Sequence, residues 1–237
     1  MRPAPGEPRF QAGHAFAAWL IAAAVALSGQ VVIFAIAGHY DVAVSDEERP
    51  LWLDAVLLIP LWISLLVAAI VVSRHWGTGR LRDDYGLRFR AFDLLGIPIG
   101  IASQAVLIPA LYWVLEVFGL NTDALSNPAR SITDRAGSDA EVVLLVLMVV
   151  VGAPIIEELF FRGLLMRAIQ ARWNDGLALV ASALFFALVH FQPLQIPGLF
   201  VFGLILGTCA QRTGRLGMSI FAHSAFNATA VVMLLNS

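Results

Sequence analysis

One apolar stretch, Pro154–Ile155–Ile156–Glu157–Glu158–Leu159–Phe160–Phe161–Arg162, contains two carboxylates and a guanidinium. A charged side chain at the centre of a membrane helix costs roughly 2.5–3.5 kcal/mol even on a mild scale, so three unpaired ones would cost about 8–10 kcal/mol. That is comparable to the net stability of a whole domain. Helix geometry separates the three: Arg162 lies about 40° round from Glu158 but about 140° from Glu157. Glu158 and Arg162 are therefore expected to pair at i and i+4, while Glu157 has no local counter-ion. Downstream stand His190, in Phe186–Ala187–Leu188–Val189–His190, and His223 with Asn227, in His223–Ser224–Ala225–Phe226–Asn227. A carboxylate, two imidazoles and an amide can together hold a water and move its proton. The plainer alternatives are a protonated, buried Glu157 and histidines that merely hydrogen-bond within a core. Two histidines following a Glu–Glu pair weigh against coincidence. His14, His39 and His75 fall at segment ends or in connections, where solvation is the default reading.

The elements that position these groups must be membrane helices. Of 237 residues, 59% are apolar and 14% charged, and the mean hydropathy is +0.80. Soluble domains carry about 25% charged residues. A net charge of -2 excludes a basic nucleic-acid-binding surface, and the single cysteine, Cys209, allows neither an intramolecular disulfide nor a cysteine metal cluster. A crossing helix needs about 20 predominantly apolar residues. Windows of that length predict an all-α polytopic transmembrane helix bundle of about seven spans (6–8), near 15–38, 51–73, 93–118, 141–161, 176–192, 196–211 and 216–235. Ala26–Leu27–Ser28–Gly29 resembles a signal cleavage region, but the apolar run resumes at Val31 and continues to Ala37, so the first segment is read as a span. The pairs Gly96/Gly100 and Gly203/Gly207 are spaced for close helix approach. Residues 119–140 read as an external, mobile loop.

All fifteen cations are arginine. Arg2 and Arg9, Arg74 to Arg90, Arg162 to Arg172, and Arg212 with Arg215 fall in alternate connections, twelve in all. Arg49, Arg130 and Arg135 fall in the others, with the acidic run Asp46–Glu47–Glu48. The asymmetry predicts a cytoplasmic N-terminus and an odd number of spans. Spacing also bears on the site. Glu157 and His190 are equidistant, about 16 residues or ~25 Å, from the turn-like Arg172–Trp173–Asn174–Asp175–Gly176. Antiparallel helices folded there would bring both to one height. The charge map opposes this, since it puts Glu157 near the cytoplasmic end of its span and His190 near the outer end of the next. A break at Pro154, with the segment after Arg162 partly embedded, would reconcile the two.

Glu157–Glu158–x–x–x–Arg162, Phe186–x–x–x–His190 and His223–x–x–x–Asn227, with Phe161–Arg162–Gly163, resemble the three motifs of the CPBP intramembrane proteases. That family includes the type II CAAX prenyl endopeptidase and bacterial bacteriocin-processing and immunity proteins. The resemblance covers roughly 140–236, so residues 140–237 are expected to form the catalytic helix core and residues 1–139 generic membrane helices 1–3 with loops. It implies that Glu157 is the catalytic acid–base residue, that His190 helps it hold water, that His223 and Asn227 complete the site, and that Glu158 and Arg162 support it. The implied activity is an intramembrane endopeptidase in the cytoplasmic membrane, acting on a membrane-associated or lipidated peptide.

Two mechanisms fit such a set. Without a metal, Glu157 activates water while His223 or the Asn227 amide stabilises the oxyanion. With Zn2+, Glu157, His190 and His223 would form a three-ligand site with water in the fourth position, but no His–Glu–x–x–His motif is present and Glu158 would then have to act as base. The metal-free version is preferred, with no cofactor required. A non-catalytic immunity or peptide-binding protein, or a proton-coupled transporter, is the alternative. Membrane lipids and a peptide substrate are the expected partners, and nucleic acid is not.

Overall fold

The computed structural model describes residues 11–40 and 49–236. They are helical with no strand, as expected when lipid offers backbone groups no hydrogen-bond partner. Seven main helices follow in order: α1 (Ala12–His39), α2 (Leu51–Trp76), α3 (Ala91–Val117), α4 (Asp139–Gln170), α5 (Asp175–Leu188), α6 (Ile196–Thr213) and α7 (Gly217–Leu235). Six of these stretches, α6 with its preceding turn from Pro193, are long and apolar enough to cross a membrane. The chain is therefore a multi-pass membrane helix bundle.

Contacts between connections show that the helices run alternately between two ends. At one end, His14 stacks on Trp76 at 4.3 Å, Arg215 pairs with Asp93 at 2.7 Å, Arg167 donates to the Gly214 carbonyl and Gln211 to that of Asp175. At the other, Arg135 pairs with Asp54 at 2.6 Å, Gln195 donates to the Leu125 carbonyl and Tyr112 to that of Leu194. The segment 119–140 contains a short helix, Asn127–Thr133, and these bonds dock it on the bundle. Arg2, Arg9 and the run Asp46–Glu47–Glu48 lie outside the described residues.

Three expectations change. The fifth segment has 14 helical residues rather than a full span, about 21 Å of rise. It ends at Leu188 because Phe191 takes a left-handed φ of 54° and Pro193 cannot extend an α-helix. The fourth span does not stop at Phe161 or break at Pro154, but runs for 32 residues to Gln170. Arg162 accordingly belongs to no connection: its side chain is fully buried in the bundle.

Glycine sets the closest approaches. A Cβ on Gly100 would lie 2.1 Å from the Ala222 carbonyl, and one on Gly96 would lie 2.3 Å from that of Met218, so α3 rides on α7 through this pair. Gly203 and Gly207 seat α6 against Ala183 and Leu179 of α5 in the same way. Helix α1 runs unbroken through Ala26–Gly29, with Gly29 against Pro60 of α2.

Helices α3 and α4 are locally underwound and widened. In α4, residues 146–152 and 159–165 form π-helical turns. The first closes with Ala153 N–H on the Met148 carbonyl, five residues back. The next bond in that register would run from residue 154 to Val149, and Pro154 has no N–H to give. In α3 the sequence repeats itself: Ile108 N–H reaches Ser103, and Pro109 follows.

Candidate active site

Because α4 extends nine residues past Phe161, Glu157 lies near the middle of a long helix rather than near its end. Helix α5 is capped by the Asn174 side chain, which accepts from Leu177 N–H. It runs back from the turn at 171–174 and ends at the level of Glu157, which removes the height conflict in the charge map.

The end of α5 poses His190. Its backbone N–H turns to the Ala187 carbonyl, leaving the Phe186 carbonyl free of the regular helical ladder. The imidazole takes that acceptor, with Nδ1 2.7 Å from Phe186 O. A carbonyl only accepts, so Nδ1 carries the hydrogen and Nε2 keeps a lone pair in the neutral ring. Phe191, at φ 54°, turns the chain away immediately afterwards.

Glu158 and Arg162 are completely buried and joined at 2.9 Å across one turn of α4. Arg162 also donates to the Gly203 carbonyl at 3.3 Å and lies over the Phe186 ring, 4.4 Å from its centroid. The same Glu158 oxygen accepts from Nδ1 of His223 at 3.1 Å. This carboxylate thus neutralises a buried cation and selects the tautomer of an imidazole, whose Nε2 then points towards Glu157 Oε2 at 3.9 Å. Glu158 Oε2 and Arg162 Nε have no hydrogen-bond partner among the described residues. Glu157 is less enclosed, its side chain 23% exposed against 5% for His223.

Asn227 lies one turn beyond His223 on α7. Its amide nitrogen donates to the Val149 carbonyl at 2.8 Å, the acceptor that Pro154 leaves without a backbone donor. One hydrogen of the amide is therefore committed to holding α7 against the π-helical turn of α4, and the other remains for another acceptor.

Arg162, Glu158, His223 and Glu157 thus form one continuous polar chain. His190 joins through Phe186, whose ring has His190 at 4.8 Å and His223 at 5.9 Å, both edge-on. Sequence reasoning did not single out this hub as more than a motif position; its spacing of four residues before His190 was the available signal. Phe202, edge-on to His223 at 5.6 Å and stacked on Phe226 at 3.8 Å, had no such signal, since it comes from another helix. Among the described residues no three His, Cys, Asp or Glu side chains converge as ligands for one ion. Glu157, His190 and His223 are thus not gathered as the three ligands of one Zn2+ ion in this structure.

Residues 139–229 match the family model described as type II CAAX prenyl endopeptidase Rce1-like. A Bacillus subtilis (strain 168) protein named "Putative membrane peptidase YdiL" is 26% identical over 193 residues, 80% of this chain and 75% of that protein. An Escherichia coli "Uncharacterized 24.3 kDa protein" is 27% identical over 171 residues, 67% of this chain and 70% of that one. No solved structure gives a significant match. The matched segment contains every residue of the polar chain, together with His190 and Asn227, and it is this part of the molecule that is similar to the Rce1-like type II CAAX prenyl endopeptidases.

Proposed function

We propose that the protein cleaves peptide bonds of a membrane-associated or lipidated peptide within the bundle, using water activated by Glu157 and no metal. The observation that carries this reading is the face-to-face placement of Glu157 Oε2 and His223 Nε2 at 3.9 Å. With Nδ1–H engaged by Glu158, both facing atoms are acceptors and cannot bond to each other. A water donating one hydrogen to each satisfies both, and its oxygen lone pair is then directed at a substrate carbonyl. Glu157 takes a proton as the water attacks and returns it to the leaving amine, so that it serves as base and then as acid. The second amide hydrogen of Asn227 is the donor assigned to the oxyanion, where losing one donor typically costs about 2.7–4 kcal/mol of barrier stabilisation, and the Nε2 lone pair of His190 helps hold the water. Arg162 is the counter-ion of Glu158, and Glu158 keeps His223 in register.

The test is Glu157→Gln, which retains size and hydrogen bonding but cannot accept the proton. Membrane proteomes of cells with wild-type protein and with this variant identify the substrates, and purified protein in liposomes then gives the rate. A loss of at least about a hundredfold is expected, with unchanged insertion and thermal unfolding. Wild-type-like cleavage by the variant removes Glu157 from the mechanism. Activity abolished by chelation and restored by zinc would replace the metal-free route with a metal-dependent one.

A further inference from the structure

Arginines at the two ends of the bundle differ in more than number. At the end bearing the C-terminus of α7, Arg49 and Arg135 both grip Asp54, each at 2.6 Å, and Arg130 donates to Ser126. At the opposite end, Arg215 is held by Asp93 and Arg88 by Asp83. Arg74, Arg80, Arg82 and Arg90 are exposed there, and none meets a carboxylate among the described residues. Arg80, Arg82 and Arg90 lie on the connection between α2 and α3, and Arg74 lies in the last turn of α2. Between and beside them Trp76, Phe89 and Phe92 are 40%, 54% and 61% exposed.

This connection is a built strap. Buried Asp84 accepts from the Ser73 hydroxyl at 2.5 Å and from Thr78 N–H at 2.9 Å. Tyr85 donates its hydroxyl to the Ala69 carbonyl at 2.8 Å, and burial with the neighbouring Asp84 charge pushes that phenol well above its usual pKa, so the donor stays protonated. Gly86 adopts φ +68° and accepts from Leu216 N–H; a Cβ there would lie 2.7 Å from the Gly214 carbonyl. The strap is thus pinned to α2 and to the α6–α7 turn, with its arginines projecting from a fixed backbone.

We propose that residues 74–92 form a binding surface for anionic phospholipid headgroups. The strap joins two spanning helices, so it sits where headgroups lie. The exposed indole of Trp76 prefers that depth, and guanidinium groups without protein acids are matched by phosphate oxygens in bidentate geometry. Four such cations near an anionic surface each favour it by up to about fivefold. Asp83, the exposed acid of the strap, is already engaged by Arg88, so nothing in the strap competes with lipid. This inference stands independently of the peptidase reading.

The test uses the full-length protein in vesicles of equal parts phosphatidylcholine and phosphatidylglycerol, with spin-labelled lipids reporting association of each headgroup with the protein. A preference of several-fold for phosphatidylglycerol is expected, falling as salt screens it. Arg80→Ala/Arg82→Ala/Arg90→Ala should bring it close to parity, whereas replacement of the same three by Lys should keep most of it. No preference in the wild-type protein, or one that survives the alanine triple unchanged, overturns the proposal. If the alanine triple fails to fold, the salt series on the wild type decides: a salt-insensitive preference overturns the proposal and a salt-sensitive one supports it.

Discussion

Glu158 serves two neighbours with one oxygen. It is the counter-ion of Arg162 and the acceptor that orients His223, and the two duties are separable by mutation. Glu158→Ala strands a fully buried guanidinium, which should cost about 3–5 kcal/mol and appear as a large fall in Tm in detergent. Replacing both partners by apolar residues, Glu158→Leu with Arg162→Met, removes the stranded charge and should recover much of that Tm. Hydrolysis should stay at least about tenfold down, because His223 has lost the carboxylate that fixes its tautomer. A double variant with full activity would reduce Glu158 and Arg162 to a purely structural pair. The i, i+4 spacing announces that pair in the sequence. The bond to His223 it cannot announce, since the partner is 65 residues away and its rotation about α7 is set by packing.

At the level of helices, a proline and an asparagine on different segments form one device. Pro154 removes the donor that the π-helical register of α4 would offer to Val149, and Asn227 supplies it from α7. Asn227→Ala should leave the Val149 carbonyl unpaired, at about 1–3 kcal/mol. In a Pro154→Ala background a backbone N–H becomes available, so the same substitution should cost less. A double-mutant cycle of thermal unfolding reads the coupling, and strict additivity would show that Asn227 and Pro154 act independently. The end of α5 is a second such case. The imidazole of His190 takes the carbonyl that its own backbone releases, so helix termination and placement of a site residue are one event. Periodicity reads α5 as a longer span because Val189 and Phe191 are apolar, while the left-handed turn at Phe191 is not encoded by a glycine.

For the molecule as a whole, α1 to α7 alternate between two ends, so α1 begins at one and α7 finishes at the other. Together with the arginine asymmetry this predicts a cytoplasmic N-terminus and a C-terminus across the membrane. Compartment-sensitive reporters fused at each terminus should respond oppositely; both responding on one side would mean that α5 and its following loop fail to carry the chain across. Membrane character, the approximate spans, the two glycine pairs and the Glu158–Arg162 neighbourhood were legible in the sequence, because each depends on composition or on spacing within one helix. How far α4 continues, where α5 stops, and that His223 turns one nitrogen to Glu158 and the other towards Glu157 depended on contacts between residues distant in the chain. Such contacts fix the rotation and axial offset of each helix, quantities to which helical periodicity is indifferent, and only the packed bundle decides them.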